Sequence, residues 1–289
     1  VKHTVEGLDR AEWLIVDTQS IESSKNVTSL QNVAIDAAHF SPASSQALYA
    51  LIAGDVRKID MSAATISRPL VSNVEDFRLY RDSGVIFTTK LDATTKQRSV
   101  GYVLDGDTTP RILRTVTDDG TQPLRLAIGD YFSDTYVAIQ EGATLTVRSG
   151  NLPKTIADVA AMQLVTTKHL TEPATRLSMI TGARFIVAES KNSYSVYDLE
   201  LRKLTTTPYK GTDASATQLP LGWIDGYMPW SDRDGTLRLY EFDGANQHDI
   251  MPVAHGQAVT LARNGSYLYT ISPLSGTQQS LQRVRMILP

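Results

Sequence analysis

The chain has 289 residues, 42% of them hydrophobic, with 28 Lys plus Arg against 31 Asp plus Glu and a formal charge of −3. That length and apolar share suffice for one large all-β domain or two ordinary ones, while its scattered cations form no clustered stripe of the kind that binds nucleic acid or an anionic membrane. No cysteine occurs, which excludes disulfides, thiolate chemistry and Cys-ligated zinc and leans toward an exported bacterial domain.

The elements in chain order repeat one plan. Segment one opens in a strand at residues 1–5, crosses a polar link around Gly7 and continues as Glu12 to Thr18 (EWLIVDT), with Lys25 to Leu30 as an outer strand. Segment two takes its inner strand from NVAIDAAHFSP. It goes on through the apolar run Leu48 to Ala53, a turn at Gly54 and Asp55, an alternating strand from Val56 to Met61, and a short outer strand at Pro69 to Val71. Segment three reads DFRLYR, GVIFTTKL, RSVGYVLD and PRILRTV. Segment four reads PLRLAIGDYF, TYVAIQEG and ATLTVRSG, with Ile156 to Val165 fit for a short helical turn. Segments five to seven follow the same order, ending at SLQRVRMIL.

Segment starts near residues 1, 32, 74, 123, 166, 212 and 257 are 42 to 49 residues apart from the second onward, the period of a four-stranded propeller blade. Runs of Val, Ile, Thr and Tyr at period two exclude helical repeats of similar length. The expected fold is therefore all-β, a β-propeller of about seven four-stranded blades forming a single domain over residues 1–289, with each terminal blade short by one strand. A six-blade ring with an N-terminal extension packed outside is the alternative. No apolar run approaches the roughly 18 residues that span a bilayer, and no signal-peptide pattern is present. The chain begins at Val1, so the expectation is a fragment of a longer protein, making no membrane contact of its own.

Phe40-Ser41-Pro42 and Arg263-Asn264-Gly265 look like degraded forms of the Ser-Pro-Asp-Gly turn of TolB-like and WD40-like repeats. Together, EWLIVDT and the stretch DVRKIDMSAATISRPLV (Asp55 to Val71) resemble the propeller region of bacterial PEGA-domain-containing surface proteins. The resemblance implies an N-terminal anchor upstream and a place outside the cytoplasmic membrane; it brings no catalytic motif.

The chemistry-bearing residues are few. LGWIDGYMPWSDRDG (Leu221 to Gly235) gathers Trp223, Asp225, Tyr227 and Trp230, aromatics and a carboxylate of the kind that hold sugars or peptides. His255, near a segment end where loops gather, is the fifth candidate ligand residue. The structural alternative is that Trp223 and Trp230 pack between blades. Ser231 to Gly235 has the look of a calcium-loop fragment, but Arg233 and the absent bidentate Glu favour a hairpin turn. No His pair at metal-ligand spacing, nucleophile elbow or phosphate-binding loop occurs, and neither metal nor cofactor is expected. The sequence thus points to a non-catalytic, monomeric, extracytoplasmic module that binds a protein or glycan at one propeller face. The alternative is a carbohydrate-active hydrolase or lyase with its site at the central channel.

Overall fold

The structure, a computed structural model, describes residues 2–4, 11–17, 20–41, 43–104, 106–180, 184–209, 221–224, 226–232, 235–254, 259–262, 265–275 and 278–286. Among the described residues the strands form seven small antiparallel sheets, five of four strands and a three-stranded one at each end. The fold is an all-β propeller, as the repeat predicts.

The first sheet comprises β1 (Lys2–Thr4), β2 (Ala11–Ile15) and β3 (Lys25–Asn26), followed by helix α1 (Val27–Gln31). The second comprises β4 (Ala37–Ser41), β5 (Ser44–Ile52), β6 (Asp55–Asp60) and β7 (Thr65–Ile66). The third comprises β8 (Val74–Tyr80), β9 (Gly84–Thr89), β10 (Gln97–Val103) and β11 (Arg111–Thr117). In the fourth, β12 (Leu124–Tyr131), β13 (Asp134–Glu141) and β14 (Thr144–Gly150) precede helix α2 (Ile156–Ala161) and β15 (Gln163–His169). The fifth comprises β16 (Arg176–Met179), β17 (Phe185–Glu189), β18 (Ser193–Asp198) and β19 (Lys203–Pro208). The sixth comprises β20 (Gly222–Trp223), β21 (Pro229–Ser231), β22 (Thr236–Leu239) and β23 (His248–Pro252), and the seventh β24 (Thr260–Leu261), β25 (Tyr267–Pro273) and β26 (Gln279–Arg285). No helix among the described residues is long and apolar enough to cross a membrane.

The chain divides into two compact units, one of Val1–Ile128 with Gly150–Gln163 and one of Gly129–Ser149 with Leu164–Pro289. Within the first unit, strand β5 is apolar on both faces. Leu48 and Ala50 join Ile35, Ile59 and Met61 under Trp13 and Ile15 of the first sheet, while Tyr49 and Leu51 join Val56 and the third-sheet residues Phe77, Val85, Phe87 and Val103. Period-two side-chain alternation delivers one set to each face, so one strand feeds two cores. In the second unit the sixth sheet behaves alike. Leu221 and Tyr240 pack with Phe185, Val187, Tyr194 and Val196, whereas Trp230, Leu237 and Leu239 pack with Val253 and Leu268.

The turn between β5 and β6 holds Ala53 at φ 51° and Gly54 at φ 84°, the pair of positive angles that a two-residue hairpin turn requires. Three expectations about connections need correction. The outer strand of the second sheet is Thr65–Ile66 instead of residues 69–71, and Val71 makes only a bridge to Val56. Here the Ser67 hydroxyl accepts the Lys58 N–H at 2.9 Å, and Pro69 has no N–H to donate to a ladder. The strand expected over Lys25 to Leu30 stops at Asn26, whose side-chain oxygen accepts the Ser29 N–H at 3.0 Å and caps α1. The start expected at Thr166 falls inside β15, the last strand of the fourth sheet; the helical turn expected there is α2, capped reciprocally by Thr155 and Asp158, and it delays that strand.

Candidate functional site

The richest cluster of charged and aromatic side chains lies in the second unit, where the fifth-sheet register brings separate turns together. Phe185 at the start of β17 pairs with Asp198 at the end of β18, and the Leu199 N–H donates to the Arg184 carbonyl at 2.9 Å. Arg184 thereby lies beside the β18–β19 turn. Its Nη2 sits 3.0 Å from Asp198 Oδ2, and its Nη1 donates to Glu200 Oε2. Asp198 is almost wholly buried, and its Oδ1 also accepts the N–H groups of Glu200 and Leu201 at 2.9 and 3.0 Å. The carboxylate thus fixes the turn and the guanidinium at once.

Over this ion pair stand the aromatics. The Arg184 guanidinium lies 5.6 Å from the Phe185 ring centre and 5.7 Å from that of Tyr227, cation–π distances. Tyr227, on the β20–β21 turn, meets Phe185 edge-on at 5.6 Å, and Phe242 stacks on Phe185 at 4.6 Å. On the β12–β13 turn, the Tyr131 ring lies 4.4 Å from Phe132. The Tyr131 phenol is raised above the ordinary tyrosine range, first by desolvation and then by Glu200, which places it within electrostatic reach of the same cluster. Burial works against the charge of Arg184, but the Glu200 hydrogen bond and the Asp198 and Glu200 charges outweigh it and raise its pKa.

Of the five residues singled out from the sequence, Tyr227 joins this cluster and is half-exposed. Trp223 lies behind it, its ring 6.2 Å from Phe185 and packed against the core between the fifth and sixth sheets. Trp230 is buried in the core on the opposite face of the sixth sheet, so the two tryptophans form no common platform and pack between sheets. Asp225 and His255 lie outside the described residues. Sequence reasoning missed Arg184, Asp198, Glu200, Tyr131 and Phe132, which belong to two separate segments. A local signal existed in GDYFSDTY (Gly129 to Tyr136), where a phenylalanine occupies a turn position that usually takes Gly, Asn or Asp.

The first unit carries an open groove of about 600 Å³ between the β10–β11 loop and the start of α2. Its polar groups serve one another: Arg111 donates to Asp107 at 2.9 Å and to the Tyr102 hydroxyl at 3.2 Å, and Asp158 Oδ2 accepts the N–H groups of Lys154 and Thr155 at 3.0 and 2.9 Å. Among the described residues, no three His, Asp or Glu side chains are grouped to hold a metal ion.

No family model matches the sequence, and no curated protein matches it either. Solved structures do. The chain is similar to an oligogalacturonate lyase in complex with manganese, with a TM-score of 0.60 and 13% identity over 96% of this chain and 83% of that one. It is similar to a chain of a mitotic checkpoint complex, with a TM-score of 0.59 and 11% identity over 95% and 81%. A protein from Lactobacillus plantarum, solved in a structural genomics programme, aligns over 99% of this chain and 93% of its own, with a TM-score of 0.54 and 12% identity. At these identities the likeness is one of fold.

Proposed function

We propose that the chain is a non-catalytic β-propeller module of the bacterial envelope, held outside the cytoplasmic membrane by an upstream anchor as in PEGA-domain-containing surface proteins, and that it binds a partner through the turns around Arg184. The observation that carries this reading is Phe132. Its position in the β12–β13 turn has φ 53°, like Arg81 in the corresponding β8–β9 turn of the third sheet and Ala53 in the β5–β6 turn of the second. The turn geometry therefore accounts for the positive angle but not for the side chain. A phenylalanine there is 88% exposed and gains no burial, while an L residue with a bulky side chain in that conformation costs on the order of 1 kcal/mol. An exposed aromatic beside Tyr131, near a half-exposed Tyr227 and a pre-formed ion pair, suits a contact made after folding.

A photo-crosslinking amino acid at position 132, compared with one at the exposed Ile156 of the first unit, tests the reading in envelope extract. Capture of a discrete partner from position 132 and not from 156 is the expected outcome. Equal capture from both, or none from 132, contradicts it. The second reading, an enzyme acting on carbohydrate, draws on the fold shared with the oligogalacturonate lyase; release of unsaturated oligosaccharide from galacturonan by the purified chain would favour it.

A further inference from the structure

We infer that the Arg184 cluster recognises a neutral carbohydrate, which rests on the binding role proposed above and names its ligand. The Tyr227 ring lies 5.7 Å from the Arg184 guanidinium, and Tyr131, with the Phe132 ring 4.4 Å from its own, is within electrostatic reach of Arg184, Glu200 and Tyr227; Phe132 is 88% and Tyr227 51% exposed. The C–H face of a pyranose ring lies against such rings and buries apolar area there. Beside the rings are groups that read hydroxyls: the Glu200 carboxylate, whose side chain is 55% exposed, and the Tyr131 phenol, a donor and acceptor at neutral pH.

Charge selects among sugars. One guanidinium faces two carboxylates, Asp198 and Glu200, so the Arg184 cation is already paired. A uronate or phosphate would meet repulsion from Glu200 and would have to take Arg184 from both partners, losing a partly buried ion pair. A cationic ligand would have to compete with Arg184 for the same two carboxylates. A neutral ring asks for neither exchange.

Isothermal titration of the intact chain with chitotriose, cellotriose and trigalacturonate decides the matter, with Phe132→Ala and Tyr227→Ala as variants at exposed positions. The expected result is saturable binding of at least one neutral trisaccharide, weaker or absent binding of trigalacturonate, and a loss of about tenfold in affinity in each variant. Preference for trigalacturonate overturns the inference, as does neutral-sugar binding that both variants leave unchanged. If no neutral sugar binds at millimolar concentration while position 132 still crosslinks a discrete partner, the inference falls and the binding role stands; if neither occurs, both fall.

Discussion

At residue scale, one close approach decides the packing of the sixth sheet. Gly222 pairs with Trp230 across β20 and β21, and a Cβ built on Gly222 would lie 1.9 Å from the Trp230 ring. The indole has nowhere to go, because Ile224, Leu237, Leu239, Val253 and Leu268 enclose it. Gly222→Ala should therefore cost about 1–3 kcal/mol, the usual penalty of overpacking, read as a lower urea midpoint; an unchanged midpoint contradicts this packing. The sequence offered the dipeptide Gly222-Trp223 and a tryptophan seven residues on, which suffices to predict inter-sheet aromatics. It does not say that the two indoles face opposite ways. That depends on the register of β20 against β21, which pairs Gly222 with Trp230 and Trp223 with Pro229 and which no local sequence pattern announces.

At the scale of elements, the inner strands were legible and the outer ones were not. Strands such as β9 and β17 are buried along almost their whole length, so their apolar runs announce themselves. Outer strands such as β3 and β7 have two residues each, and side-chain hydrogen bonds compete with their ladders. Where an outer strand is long, an ion pair helps to hold it. Arg98 of β10, itself buried, donates to Asp118 just past β11 at 2.7 and 3.2 Å and also to the Gln122 carbonyl. Hydrogen bonds from Arg98, and then from the Gly120 N–H, hold the Asp118 carboxyl below its ordinary value against partial desolvation. Since its pKa is depressed in the folded state, the stabilisation is complete above the unfolded aspartate value near 4 and is lost as pH falls through the lower folded value. Asp118→Asn should lower stability by about 2 kcal/mol at pH 7 and flatten the decline below about pH 4, as followed by denaturant melts across pH. A variant with the wild-type acid limb would contradict this assignment.

At the scale of the whole molecule, each sheet is too small to stand alone, and sheets such as the second and sixth lend their faces to two cores. This economy made the fold class readable: burial on both faces imposes period-two apolar runs, and equal sheets impose the near-constant spacing of segment starts. The functional surface follows the opposite rule. Arg184, Glu200, Tyr131, Phe132 and Tyr227 come from turns of three different sheets, of which only the one holding Phe132 carries a local signal, and only the register of β17 against β18 brings Arg184 to Asp198 and Glu200. If that surface serves a partner, the Phe132 ring, 88% exposed, contributes to binding and not to folding. The most direct measurement is the amount of envelope partner captured by immobilised wild-type chain and by the Phe132→Ala variant, with their melting temperatures taken in parallel. Capture reduced about tenfold, with melting temperatures within about 2 °C of each other, is the predicted result, whereas equal capture by the two chains would contradict it.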